Sequence, residues 1–150
     1  MKKMKKQNKE NVKWQWVFHG TRNVKNVCSI YALGFDHRLH GVNGTLYGKG
    51  SYFAAQAKMS NVYTSPSLDN HNQCLQFMFI ARVALGRMAV GSGEYQRPPL
   101  LDPLQPKLGL YNTCVDNLQD PIIYVTFDNN QSYPEYLIEY FIRSDRLHNH

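Results

Sequence analysis

At 150 residues, with 43% hydrophobic residues, the chain fits one domain built around a single buried core. The formal net charge of +6 comes mostly from residues 1–13, which hold six lysines and one glutamate, so the remainder is nearly neutral. This distribution argues against a basic nucleic-acid groove on the folded part, and no apolar run is long enough to cross a bilayer.

The cysteines and the N-terminus together predict an intracellular protein, cytoplasmic or nuclear, without a membrane anchor. The three cysteines, Cys28, Cys74 and Cys114, are widely spaced and include no CxxC pair, which argues against a disulfide framework. No apolar segment follows the basic N-terminus in the manner of a signal peptide. The lysine-rich residues 1–13 are expected to form a solvated, basic lead-in.

The first part of the chain predicts a strand, a helix and a long loop. Residues 14–18 alternate as a strand that ends at His19, and residues 23–33 place apolar side chains on one helical face. Gly34 stands where a helix end favours a left-handed residue. The glycine-rich segment 35–50 is longer than a typical connection, which points to a functional loop.

The rest of the chain predicts a mainly β structure. Residues 51–54 form a short strand, residues 55–62 a short helix, and residues 75–85 a central strand covered on both faces. The Gly- and Pro-rich segment 91–107 is expected to be irregular. Residues 122–127 and 136–142 are expected to pair as an antiparallel hairpin.

Three short sequence blocks carry most of the information about function. In chain order they are FHGT at 18–21, YGKGSYFA at 47–54 and YPEYLIEY at 133–140. Together they resemble the catalytic domain of the poly(ADP-ribose) polymerase superfamily, the diphtheria-toxin-like ADP-ribosyltransferases. The resemblance implies an α+β fold of two small, mainly antiparallel sheets packed together, with an NAD cleft between them. The catalytic domain would span 14–142, with a tail at 143–150, and residues 1–13 would resemble the end of a truncated helix that precedes the first strand in this superfamily.

The resemblance also implies how NAD is bound as a co-substrate. The backbone of Gly20 would hold the nicotinamide amide, the hydroxyl of Ser60 would add a third hydrogen bond, and the rings of Tyr52 and Tyr63 would sandwich the pyridine. His19 matches the histidine that hydrogen-bonds the adenine-side ribose. No GxGxxG turn is present, so the Rossmann mode of dinucleotide binding is not indicated.

Further contacts follow from the same resemblance. Thr21 would add a hydroxyl near the ribose. The 35–50 loop corresponds to the donor loop over NAD, in which Arg38 and His40 are candidates for pyrophosphate or adenosine contacts. Residues 87–101 correspond to the acceptor-side loop, where Tyr95 and Arg97 are expected to face a protein substrate.

Polymer-forming members carry a glutamate on the strand before the closing one, and Ile123 occupies that position here. Isoleucine can neither accept a proton nor a hydrogen bond. The implied catalytic set of His19, Tyr52 and Ile123 resembles the mono-ADP-ribosylating branch, in the subgroup associated with WWE and CCCH zinc-finger modules. Glu135 and Glu139 lie nearby in sequence and are interpreted as structural or solvated residues of the closing strand.

Three functions fit these patterns. The first is a mono-ADP-ribosyltransferase that uses NAD without a metal and modifies protein acceptors. The second is a catalytically silent relative that binds NAD or ADP-ribose or serves as an interaction module. In this alternative the chain could be a truncated fragment. The third is a zinc site built from His37-x-x-His40 and His71-x-x-Cys74, which is disfavoured because HxxH is not a usual structural-zinc pair.

Overall fold

A computed structural model of the chain describes residues 12–38, 45–64, 67–68 and 74–141. For residues 67, 68 and 74 it describes the backbone alone. The predicted lead-in, except residues 12 and 13, the predicted tail, and His40 lie outside the described residues. The domain bounds proposed from the sequence therefore stay a prediction.

The described residues confirm an α+β fold with eight strands and two short α-helices. In chain order these elements are β1 (Trp14–Thr21), α1 (Val24–Leu33), β2 (Ser51–Ala54), α2 (Ala57–Asn61), β3 (Ser67–Leu68), β4 (Cys74–Ala84), β5 (Met88–Val90), β6 (Thr113–Val115), β7 (Ile123–Thr126) and β8 (Ser132–Phe141). Two single 3-10 turns, Pro106–Leu108 and Asn129–Gln131, complete the list. Neither described α-helix is long and apolar enough to cross a membrane.

The strands form one hydrogen-bonded sheet, not the two separate sheets that we expected. The order is β3-β4-β1-β2-β7-β6-β5, and β8 pairs with the other edge of β4. The two halves of this sheet meet where β1 pairs with β2, at the single register pair Phe18 and Ala54. This pairing satisfies backbone groups that two separate sheets would leave at their edges, which explains why the sheet is continuous.

The main core lies between the two halves of the sheet. β4 is central, as predicted, because it pairs with β1 along eight residues and with β8 on its other edge. Buried side chains of β1 and β4, such as Val17 and Phe79, share one apolar cluster with Phe53 of β2 and Val115 of β6. Helix α1 adds Val27 and Ile30 to the same cluster. Apolar burial therefore fixes how the halves face each other.

Helix α1 is capped at both ends, and its C-terminal cap, Gly34, is the one that the sequence predicted. Asn23 is its N-cap, and the side chain of Asn23 accepts a hydrogen bond from the backbone N–H of Asn26 at 2.9 Å. Gly34 ends the helix with φ of 74°, a left-handed value that glycine adopts at little cost. The chain then turns back so that Phe35, which is 1% exposed, enters the core.

The predicted hairpin of the last two strands is wrong. β7 pairs with β2 and β6, whereas β8 pairs with β4 in the other half of the sheet. The 3-10 turn between β7 and β8 directs the chain from one half of the sheet to the other, and Gln131 of this turn is buried. The Gln131 amide donates to the carbonyls of Ala84 and Asn112 at 2.9 and 3.0 Å, which anchors the crossing.

Candidate active site

A cavity of about 110 Å³ opens where the ends of β1 and β2 meet helix α2. Drug-sized ligands usually occupy roughly 300 Å³ or more, so this cavity accommodates one flat ring, and the rest of a dinucleotide would lie along its mouth. The residues that line it are His19, Gly20, Thr21, Arg22, Asn26, His37, Gly50, Ser51, Tyr52, Phe53, Ala54, Ser60, Tyr63 and Ile123.

The structure brings together most of the side chains that the sequence singled out. The predicted residues that line the cavity are His19, Gly20, Thr21, Tyr52, Ser60, Tyr63 and Ile123. Arg38 is not among the lining residues. Its guanidinium instead pairs with the carboxylate of Asp36, at 2.6 Å between Arg38 Nη2 and Asp36 Oδ2. Hydrogen bonding from Arg38 holds the pKa of that carboxyl well below its usual range.

Strand alternation places His19 in the cavity. Val17 points into the core, and every second residue after it, His19 and then Thr21, faces the same side of β1. The His19 ring lies against Phe35 and Phe53, with ring centroids at 5.0 and 5.6 Å. These aromatic contacts fix the orientation of the imidazole at the cavity wall.

A hydrogen bond also fixes the tautomer of His19. Its Nδ1 lies 2.8 Å from the backbone carbonyl oxygen of Tyr52. Because a carbonyl oxygen can only accept, Nδ1 carries the proton in this bond, and Nε2 of the neutral ring is then an acceptor. An acceptor at this position suits a ribose hydroxyl, which can donate to it.

Gly20 allows the end of β1 to approach helix α2 closely. A Cβ atom built on Gly20 would lie 2.1 Å from the backbone oxygen of Ser60, closer than any real contact. Ser60 itself is 2% exposed and lines the cavity, and Tyr63 follows one turn later with 41% exposure. The bare backbone of Gly20 thus lets α2, with Ser60, and the following Tyr63 reach the cavity wall.

Tyr52 contributes three different groups to the site. Its ring lines the cavity, its carbonyl accepts from His19, and its hydroxyl bonds to the preceding loop. The hydroxyl donates to the carbonyl oxygen of Gly48 at 2.7 Å and accepts from the backbone N–H of Tyr47 at 3.0 Å. Burial raises the pKa of this phenol, so it stays protonated at neutral pH.

Ile123 lies at the start of β7, and its side chain faces the cavity. It pairs with Ala54 of β2 and is 8% exposed. Its backbone N–H and that of Ile122 both donate to Asp116 Oδ1, at 3.1 and 3.0 Å. Asp116 therefore fixes the backbone at the entrance of β7, from which the Ile123 side chain projects to the cavity wall.

Neither glutamate of the closing strand reaches the cavity. Glu135 forms an ion pair with Arg82 of β4, and the Arg82 guanidinium also lies over the Trp14 ring at 5.4 Å. Glu139 is exposed on β8. Among the described residues, the cavity lining includes no aspartate or glutamate. No carboxylate of the described residues is therefore positioned as a general base in this site.

The sequence interpretation missed Arg22, Asn26 and His37, which line the α1 side of the cavity. Arg22 directly follows the FHGT block and precedes α1, whereas Asn26 lies in the first turn of that helix. The position of Arg22 next to the motif is the sequence signal that could have identified it. Together the three side chains add hydrogen-bonding and cationic groups to the lining of the cavity.

The zinc hypothesis gains no support among the residues that can be tested. The described part of the chain holds no group of three or more potential metal-binding side chains. His40, His71 and the side chain of Cys74 lie outside the described residues, and His37 lines the cavity instead.

The predicted acceptor-side loop, residues 87–101, packs against the end of the donor loop. It contains β5, which the sequence interpretation treated as loop. The carbonyl oxygen of Tyr95 accepts from the backbone N–H of Lys49 at 2.8 Å. A Cβ atom on Gly91 would lie 2.3 Å from the carbonyl oxygen of Tyr47, so these two backbones touch directly. The two segments therefore share one side of the site.

Comparison with known proteins agrees with this geometry. The family described as the poly(ADP-ribose) polymerase catalytic domain matches residues 2–95. The mouse protein mono-ADP-ribosyltransferase PARP12 is 41% identical over 138 residues, which cover 91% of this chain and 18% of that protein. The mouse protein mono-ADP-ribosyltransferase PARP11 is 36% identical over 151 residues, covering 91% of this chain and 45% of that protein.

A more distant relative extends the comparison beyond mammals. The probable poly [ADP-ribose] polymerase DDB_G0278045 of Dictyostelium discoideum is 33% identical over 130 residues, which cover 83% of this chain and 33% of that protein. The chain thus spans less than half the length of each of these curated relatives. The matched residues include the β1 end, β2 and α2, which together carry most of the cavity wall. The chain belongs to the poly(ADP-ribose) polymerase catalytic domain family.

Proposed function

We propose that this domain is a mono-ADP-ribosyltransferase, which transfers ADP-ribose from NAD to a protein side chain and releases nicotinamide. The observation that carries this proposal is the composition of one cavity wall. His19, Tyr52 and the aliphatic Ile123 line the cavity, and the family resemblance assigns the position of Ile123 to the glutamate of chain-extending enzymes. The relatives named as mono-ADP-ribosyltransferases support the same activity.

NAD would bind with its nicotinamide in the cavity. The backbone of Gly20 and the hydroxyl of Ser60 would hold the carboxamide, and the rings of Tyr52 and Tyr63 would lie against the pyridine. His19 would accept from a ribose hydroxyl, and Arg22 at the mouth would lie near the phosphates. When bound, NAD supplies an activated glycosidic bond whose leaving group is neutral nicotinamide.

The transfer breaks the bond between ribose C1′ and the pyridine nitrogen, and the electron pair leaves with nicotinamide. A new bond forms between C1′ and an oxygen or sulfur of the acceptor side chain, whose proton, if it has one, passes to solvent. The protein's contribution is to hold the reacting groups in alignment, which can supply a large part of the rate enhancement. Because no carboxylate lines the described cavity, the acceptor's own ionised group acts as the nucleophile.

Ile123 also accounts for transfer of a single unit. Elongation requires a group that activates the 2′-hydroxyl of an ADP-ribose already attached. An aliphatic side chain cannot accept that proton, so the attached ribose remains a poor nucleophile. The same residue keeps one side of the cavity apolar, which suits a flat ring.

The first test is incubation of the purified chain with NAD labelled in its adenylate part, with nicotinamide release and protein labelling measured in parallel. Both signals are expected in the wild-type protein. His19→Ala is expected to lower both by roughly a hundredfold, because it removes a hydrogen bond that orients the reacting sugar. Gln15→Ala is the matched control, since Gln15 lies on the same face of β1 outside the cavity.

The outcomes separate the enzyme from a silent relative. Release and labelling that depend on His19 but not on Gln15 support the proposed transferase. Retention of NAD without release of nicotinamide would favour the silent binding module. Failure to retain NAD with His19 intact would contradict both interpretations.

A further inference from the structure

We propose that the hydroxyl of Tyr52 is a positioning group for NAD, separate from any role of its ring, and this inference rests on the proposed function. The hydroxyl bonds two consecutive residues of the loop, donating to the Gly48 carbonyl and accepting from the Tyr47 N–H. A phenol hydroxyl has one proton to donate and lone pairs to accept, so both bonds form together. The hydroxyl therefore ties this backbone to the cavity wall.

The segment that the Tyr52 hydroxyl holds, residues 47–49, also packs closely against neighbouring residues. Gly48 has φ of 127° and sits against Phe127, whose ring would lie 2.6 Å from a Cβ built on the glycine. The carbonyl of Tyr95 binds the N–H of Lys49, and Gly91 lies against Tyr47. These contacts with Phe127, Tyr95 and Gly91 restrict the backbone of residues 47–49. The two hydrogen bonds of the Tyr52 hydroxyl then hold that backbone in a single position.

Tyr52 connects this segment to the catalytic histidine. Gly50 and Ser51, which directly follow the held segment, line the cavity. The carbonyl of Tyr52 accepts from His19 Nδ1 at 2.8 Å. Tyr52 thus contacts the loop end through its hydroxyl and the histidine ring through its backbone carbonyl, so that loss of the hydroxyl leaves the bond to His19 in place.

Tyr52→Phe separates the hydroxyl from the ring. The variant keeps the aromatic face for the pyridine but removes both hydrogen bonds to the loop. We expect KM for NAD to rise about tenfold, the scale of losing one or two hydrogen bonds. We expect kcat to change less than about threefold, since His19 and the ring remain. General loss of folded protein would lower kcat without this increase in KM.

The experiment measures NAD kinetics and hydrogen exchange of the Tyr47 amide in wild type, Tyr52→Phe and Tyr124→Phe. Tyr124 is the matched control because it is a buried tyrosine of β7 outside the cavity lining. The Tyr47 amide is expected to exchange faster in Tyr52→Phe alone, because its hydrogen-bond acceptor has been removed. The increase in KM is expected in the same variant alone.

Two results would overturn the proposal. Unchanged exchange at Tyr47 in Tyr52→Phe would mean that the hydroxyl does not hold the segment. Faster exchange with unchanged KM would mean that the held segment does not position NAD. A wild-type protein that released no nicotinamide would remove the proposed function instead, and the exchange comparison would still decide whether the hydroxyl holds the segment.

Discussion

At the scale of single residues, Gly20 meets two independent requirements. The sequence motif indicates a residue without a side chain so that a flat ring can lie against the backbone. The structure adds a second reason, since a Cβ on Gly20 would collide with the Ser60 carbonyl oxygen at 2.1 Å. Under the proposed function the same glycine would leave room for the ligand on one side, and it allows the packing of α2 on the other.

Gly20→Ala is expected to lower the free energy of unfolding by about 1–3 kcal/mol, because the added methyl group must displace α2. It should also abolish NAD-dependent labelling, because Ser60 and Tyr63 move with that helix. Urea unfolding and the labelling assay measure the two effects.

Gly34→Ala is the control variant. An alanine with φ of 74° is expected to lower the free energy of unfolding by about 1 kcal/mol, but apart from its chain neighbours no atom of the described chain lies within 4 Å of the new carbon. Equal labelling by both variants would contradict this account.

The predicted site residues came from motifs, which explains why many of them line one cavity and why other lining residues were not named. FHGT and YGKGSYFA place His19 and Tyr52 at strand ends, where backbone geometry leaves little choice of direction. Asn26 and His37 were missed because their direction depends on how α1 packs in three dimensions. Arg38, which the resemblance proposes as an NAD contact, pairs in this structure with Asp36, two residues before it. Its contact with NAD stays a prediction.

At the scale of elements, the cysteines distinguish a buried strand from an exposed helix face. Cys114 in β6 is fully buried, and burial raises the pKa of its thiol to about 11. Cys28 in α1 is exposed. A thiol reagent at neutral pH is therefore expected to modify Cys28 in the native protein, and Cys114 only after unfolding, since the thiolate is the reactive form.

Peptide mapping by mass spectrometry after a short labelling time measures this difference. Labelling in denaturant is the control, because both thiols are then accessible. Modification of Cys114 at the rate of Cys28 in the native protein would show that β6 is not buried as described.

Strong local signals were sufficient for some elements but not for others. Helix α1 was predictable from its cap residues and apolar face, and β4 from its long apolar run. β5 and β6 were missed, because three residues are too short for any periodicity to appear. The hairpin prediction failed because adjacency in sequence favours pairing, whereas buried Gln131 sends β8 to the other half of the sheet.

At the scale of the whole molecule, the single sheet explains why the cavity lies where it does. The halves join at Phe18 and Ala54, the residues that precede His19 in β1 and end β2. Beyond this pair the two strands separate, and the opening between them is walled by α2. This joint could not be predicted, because strand register depends on contacts far apart in sequence. The α+β class and the cleft were predictable from the family resemblance.

The most direct test of the central claim is the size of the adduct on the modified protein. Wild-type protein is incubated with excess NAD, and the modified peptides are weighed by mass spectrometry. The account predicts one ADP-ribose unit on each modified side chain, however long the incubation, because Ile123 cannot activate an attached ribose. Chains of two or more linked units on one side chain would contradict it.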